Sequence, residues 1–235
     1  MHHLDTTTIT LAKGGHETRD DGVCLLEAVA WWAGEDHGDH PSCVSRVLGS
    51  FGRSLNDVLP DEKRQQLRPY ITLMPGTAAD GLDETRGYLA LDWLIRTYTP
   101  AWLDLAGLTE EAAALRDLRR IADLVGARNA GPVVRETRAK AAAARAAAWD
   151  AARDAAWGAA WDAARAAGGA AARAAGGDAA RDAAWDAAWD AARAAARDAA
   201  RDAARAKLAP TVTQLQDSAI ALLGTMIKPE APGGA

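Results

Sequence analysis

The residue types best able to do chemistry crowd into two short stretches of this 235-residue chain. One is Asp21-Gly22-Val23-Cys24 with Glu27 shortly after it. The other is Glu35-Asp36-His37-Gly38-Asp39-His40-Pro41-Ser42-Cys43. His37, His40 and Cys43 recur every three residues, and Cys24 or Glu27 would complete a four-ligand zinc site. A second chemistry is nucleophilic. A cysteine at a helix start has its thiol pKa lowered, so Cys24 would serve as a thiolate, His40 as its base, and Asp36 or Asp39 as the group orienting that base. This arrangement resembles the thiol site of transglutaminase-like and papain-like enzymes, which place the histidine on a sheet, whereas this chain offers almost no strands. The plainer reading is structural: a polar loop and helix cap, with Cys43 a small core residue and Cys24 buried beside Glu27 and the Trp31-Trp32 pair. We expect that reading to hold, with no catalytic residue, no metal and no cofactor. No phosphate loop, dinucleotide fingerprint or paired-aspartate motif occurs.

The elements that must position these residues read as helices. Thr6 to Leu11 is a short strand or an extended arm. Asp21-Gly22 caps a helix from about Val23 to Ala33, stopped by Gly34. Pro41 opens a second, with Val44, Val47, Leu48, Phe51, Leu55, Val58 and Leu59 at helical spacing. A third piece starts at Pro60-Asp61-Glu62 and carries Leu67, Tyr70 and Ile71. A helix from about Leu82 to Thr97 ends before Pro100. Another runs from Thr109 with Leu115, Leu118, Ala122 and Val125 inward, closed by Gly126. Pro132 launches a repeat, and Pro210 opens a last amphipathic helix bearing Val212, Leu215, Ala219, Leu222, Met226 and Ile227.

The repeat keeps a four-residue beat of Arg or Trp, often Asp, then Ala-Ala, from Arg145 to Arg205. Alanine is the strongest helix former. Six aspartates sit three before an arginine, each such pair adding about 0.2–0.5 kcal/mol. Read outward from Arg173 the beat is nearly a palindrome, so an antiparallel hairpin turning within Gly168–Gly177 sets Trp161 against Trp185, Trp157 against Trp189 and Trp149 against Arg197. A period of four drifts by about 40° per repeat on an α-helix, and each arm of about 30 residues is about 45 Å long. Slippage of a twelve-nucleotide repeat in a GC-rich gene is the rival origin of such a segment.

Composition narrows the functions. Residues 135–208 hold 13 basic and 10 acidic positions, a net of +3 against −5 for the whole chain, so the remainder carries −8. Neither part has the basic excess of a nucleic-acid footprint, and the interspersed aspartates would repel phosphate backbones. Two cysteines are too few for a disulfide scaffold. The start lacks a signal peptide, and no run of about 18 apolar residues escapes a charge, so a cytoplasmic protein without a membrane span is expected.

Three stretches carry a resemblance: Asp21-Gly22-Val23-Cys24-Leu25-Leu26-Glu27-Ala28, Asp39-His40-Pro41-Ser42-Cys43-Val44, and Tyr98-Thr99-Pro100-Ala101-Trp102-Leu103-Asp104-Leu105-Ala106-Gly107-Leu108. Together they resemble a group of hypothetical proteins from GC-rich bacteria and their phages, over roughly residues 14–125 and 210–227. That group implies no activity. The expectation is an all-α protein: a polar arm (1–20), a compact helical domain (21–130), an Ala-rich antiparallel helical hairpin (131–208), a C-terminal helix packing back (209–227) and a disordered tail (228–235). Its expected function is a non-catalytic protein-interaction or assembly module, self-associating or binding a protein partner through Trp149, Trp157, Trp161, Trp185, Trp189 and Arg197, since tryptophan and arginine most often dominate interface energies. The alternative is a small thiol- or zinc-dependent enzyme or metal protein centred on Cys24, His37, His40 and Cys43.

Overall fold

A computed structural model describes residues 5–147 and 178–229. It is all-α, and no strand occurs among the described residues. The Thr6–Leu11 segment forms turns and extended chain, with Leu11 buried and its N–H bonded to Gln65 Oε1 at 2.9 Å.

Helix α1 (Leu25–Ala33) is the centre of the core. Leu25, Leu26, Ala28, Val29 and Ala30 are all fully buried, so it is apolar nearly all round. Its N-cap is Cys24, in extended conformation, and Gly34 closes it at φ 76°, the left-handed geometry that glycine adopts without steric cost. Helix α2 (Arg46–Val58) is amphipathic and buries Leu48 and Leu55. It starts five residues after Pro41, because the Ser45 hydroxyl is the cap that accepts from Leu48 N–H. Pro41 instead lies buried in the turn before it.

Helix α3 (Asp61–Arg64) passes into 3-10 turns over Gln65–Thr72, which bury Leu67 and Ile71. Helix α4 (Asp83–Trp93) continues through a π-helical turn, Leu94–Tyr98, into α5 (Thr99–Leu105). Pro100 was expected to end a helix there. It sits instead in the first turn of α5, where its missing N–H costs little. A proline ring would strike the residue-96 carbonyl of a regular α-helix, and the wider π turn relieves that clash.

Helix α6 (Thr109–Arg116) is shorter than the sequence pattern indicates. Helix α7 begins at residue 124, passes through Gly126 and Pro132 and reaches residue 147, so neither residue marks a boundary. Val125, expected inside, is 63% exposed, and Ile121 takes the buried position. Helix α8 (Asp178–Ile227) is continuous through Pro210, which therefore opens no new helix. Helix α6 does begin at Thr109, with Leu108 at its N-cap.

Two bodies emerge from the packing. The first holds residues up to Val134 together with Thr213 onward. Its core joins α1, α2 and the 3-10 turns to Ala219, Ile220, Leu222, Leu223, Met226 and Ile227 of α8. Each fully buried aliphatic side chain contributes roughly 1.5–3 kcal/mol of transfer free energy. The second body is Arg135–Val212. Within it the i,i+3 pairs Asp198–Arg201 and Asp202–Arg205 close at 3.2 and 3.8 Å, both exposed. The turn at 168–177 and the residues Trp149, Trp157 and Trp161 lie outside the described residues. Trp185, Trp189 and Arg197 lie on the described backbone of α8.

Candidate functional site

Cys24 and Glu27 have capping-box spacing, N-cap to N3, and the carboxylate does what that spacing permits: Glu27 Oε2 accepts from Cys24 N–H at 2.7 Å. Glu27 is 1% exposed, and a buried carboxylate must find further donors. His16 supplies two, its backbone N–H to Oε1 at 2.6 Å and its ring Nδ1 to Oε2 at 2.8 Å. His37 then locks the loop carrying His16, donating from Nε2 to the His16 carbonyl at 2.9 Å, and that same nitrogen lies 3.9 Å from Glu27 Oε1. The other ring nitrogen of His37, Nδ1, is buried with no hydrogen-bond partner among the described residues. Gly22, at φ 139°, completes the knot, since a Cβ there would come within 2.6 Å of His16 Nε2.

Burial alone would push the Glu27 carboxyl up. The N–H donors of Cys24 and His16 and the His16 ring outweigh it and hold the group below the ordinary glutamate value. Burial also acts on the neighbouring thiol, where it outweighs the backbone N–H groups of Glu27 and Leu26, and Cys24 is pushed up to about 12. Nearby Glu27 adds to that rise by disfavouring a second negative charge. Position at a helix start therefore does not produce a thiolate here, because desolvation exceeds the pull of the helix end.

Cys43 belongs to a separate knot. Its N–H and that of Ser42 donate to Glu35 at 2.9 and 2.6 Å, while its carbonyl accepts from Gly76 and Ala78. Burial pushes the Cys43 thiol up to about 11, and the hydrogen bond to Glu35 pushes in the same direction. The His40 ring is 74% exposed and faces its own neighbour Asp39 at 3.4 Å. The structure thus gathers Cys24 and His37 around Glu27, and leaves His40 and Cys43 elsewhere. Among the described residues no three His, Cys, Asp or Glu side chains converge as a metal ion requires.

The first body also holds the C-terminal part of α8 through polar side chains. Lys63 reaches the Thr213 carbonyl at 3.0 Å and Asp217 at 2.6 Å. Tyr70 donates its hydroxyl to the Ile220 carbonyl at 3.0 Å, and Trp93 its indole N–H to Ser218 at 2.6 Å. Arg86, fully buried, donates from Nε to the Met226 carbonyl at 2.9 Å and forks onto Asp80 at 2.5 and 2.8 Å. Sequence reasoning passed over His16 and Arg86. Neither has a local signal, although the Cys24–Glu27 spacing does announce the carboxylate.

No protein-family model matches the chain, and neither the curated proteins nor the solved structures contain a match.

Proposed function

We propose that this protein is a non-catalytic helical module for assembly, in which the Ala-rich repeat carries the contact surface for a protein partner or a second copy of the chain. One observation supports this reading above the others. A single helix carries repeat residues Trp185 and Trp189 and also Leu223 and Met226 of the core, and four side chains of the first body fasten its last turns. A segment already helical presents its residues with less loss of conformational entropy on binding than an unfolded one, which is where preorganised interfaces gain affinity. The residue types that would serve catalysis are engaged in holding loops: Glu27, His16 and His37 in one knot, and Glu35 in another.

The test is a photo-cross-linking residue at position 189, with one at exposed Glu62 as control. A discrete adduct from position 189, homodimeric or heterologous, is the expected outcome. No adduct, or equal adducts from both positions, overturns the proposal. Stoichiometric zinc in protein purified without a histidine tag overturns it as well, in favour of the metal reading.

A further inference from the structure

The chain passes out of the first body along α7, between Val134 and Arg135, and returns along α8, between Val212 and Thr213. Each of these helices carries one proline among its described residues, Pro132 in α7 and Pro210 in α8. Each proline stands two positions before the residue at which its helix reaches the division. We propose that Pro132 and Pro210 are a pair of hinges, at which α7 and α8 bend relative to their segments fixed in the first body. The inference holds whether or not the repeat serves assembly.

A proline ring supplies no N–H and presses on the carbonyl four residues earlier, which makes it the least favourable residue of a helix interior. The Arg128 and Ala206 carbonyls thereby lose their regular donors. Sharp bends in helices concentrate at such missing rungs. Packing accounts for neither residue, since both prolines are exposed. Pro100 differs on both counts, being buried and having its clash relieved by the π turn before it. Gly131 adds freedom at the first position, because a proline ring crowds the residue before it and glycine has no Cβ to be crowded.

The fastening of the two helices supplies the second, independent observation. On the first-body side of Pro132, Ala130 is buried and the Ile121 N–H is held by Asp92 at 2.8 Å. On the first-body side of Pro210, Lys63 grips the Thr213 carbonyl at 3.0 Å and Leu215 is buried. Beyond the prolines the pattern reverses. Every residue from Arg201 to Lys207 is exposed, and of residues 135–140 only Thr137 is buried. Helical stretches with few buried contacts deform at low cost. A proline therefore stands at each point where held helix gives way to exposed helix.

Spin labels at exposed Glu62 and exposed Ala194 in the full chain, measured by pulsed dipolar spectroscopy, read the hinge. A bend of about 20° at Pro210 carries Ala194, about 24 Å along the helix, through about 8 Å. The expected distance distribution is on the order of 8 Å wide or more. In the Pro132→Ala, Pro210→Ala double variant it should narrow about twofold, as the restored hydrogen bonds stiffen both helices. A second label pair at Glu62 and exposed Arg119, both in the first body, should give the same narrow distribution in both proteins. Equal widths for the Glu62–Ala194 pair in the native and double-variant proteins overturn the proposal. So does an equal narrowing of the Glu62–Arg119 pair, which would place the flexibility inside the first body.

Discussion

Glu27 is a buried anion whose stability contribution depends on pH in a defined direction. Its folded pKa lies below the ordinary glutamate value of 4.5. Such a group stabilises the fold fully above the unfolded pKa and loses that contribution as pH falls through the folded one. Chemical denaturation should therefore show stability dropping below about pH 4.5, and Glu27→Gln should remove that component. At neutral pH the same substitution weakens three charge-assisted hydrogen bonds and should cost about 2 kcal/mol. Arg86 is the cationic counterpart. Arg86→Met leaves Asp80 without its fork and the buried Met226 carbonyl without a donor, at an expected cost of about 3–5 kcal/mol measured by urea unfolding. An unchanged midpoint would show that the Arg86 network contributes nothing net.

At the scale of elements, α2 offers a paired experiment. Gly49→Ala should stabilise the protein by about 1 kcal/mol, the helix-propensity gain with no obstruction. Gly52→Ala gains the same amount but drives a methyl against Leu26, a fully buried side chain with no room to retreat, so a net loss of about 1 kcal/mol is expected in thermal melts. Helices α1 and α2 were legible in the sequence because apolar spacing and Gly34 are local signals. Their starts were not, since a cap is chosen by what its side chain meets: Ser45 finds Leu48 N–H and Asp83, and Cys24 finds Glu27. Proline misled for a related reason. Pro100, Pro132 and Pro210 all sit inside helical runs; a π turn relieves the first, and the other two lie at exposed positions of their helices. The candidate site divided likewise. Residues near in sequence, His37 to Cys43, separated into two knots, and the partner that made Glu27 a centre was His16, eleven positions away.

At the scale of the molecule, the core of the first body is made from two distant stretches of chain. A variant ending before Thr213 loses Leu215, Ala219, Ile220, Leu222, Leu223, Met226 and Ile227 from the interior, along with the acceptors of Tyr70, Trp93 and Arg86. It is expected to show no cooperative thermal transition, by near-ultraviolet circular dichroism. A sharp transition at the full-length temperature would mean that residues up to 134 fold alone.

The closing segment of that core is also the last part of it to be made on the ribosome. At roughly 5–20 residues per second, residues up to 134 wait about 4–16 s for Thr213 and its successors to be synthesised. Throughout that interval the core lacks its C-terminal members, and Tyr70, Arg86 and Trp93 lack their acceptors, which makes the nascent chain a natural client for a chaperone. Changes in repeat number between residues 135 and 212 would lengthen or shorten the wait while leaving every residue of the core unaltered.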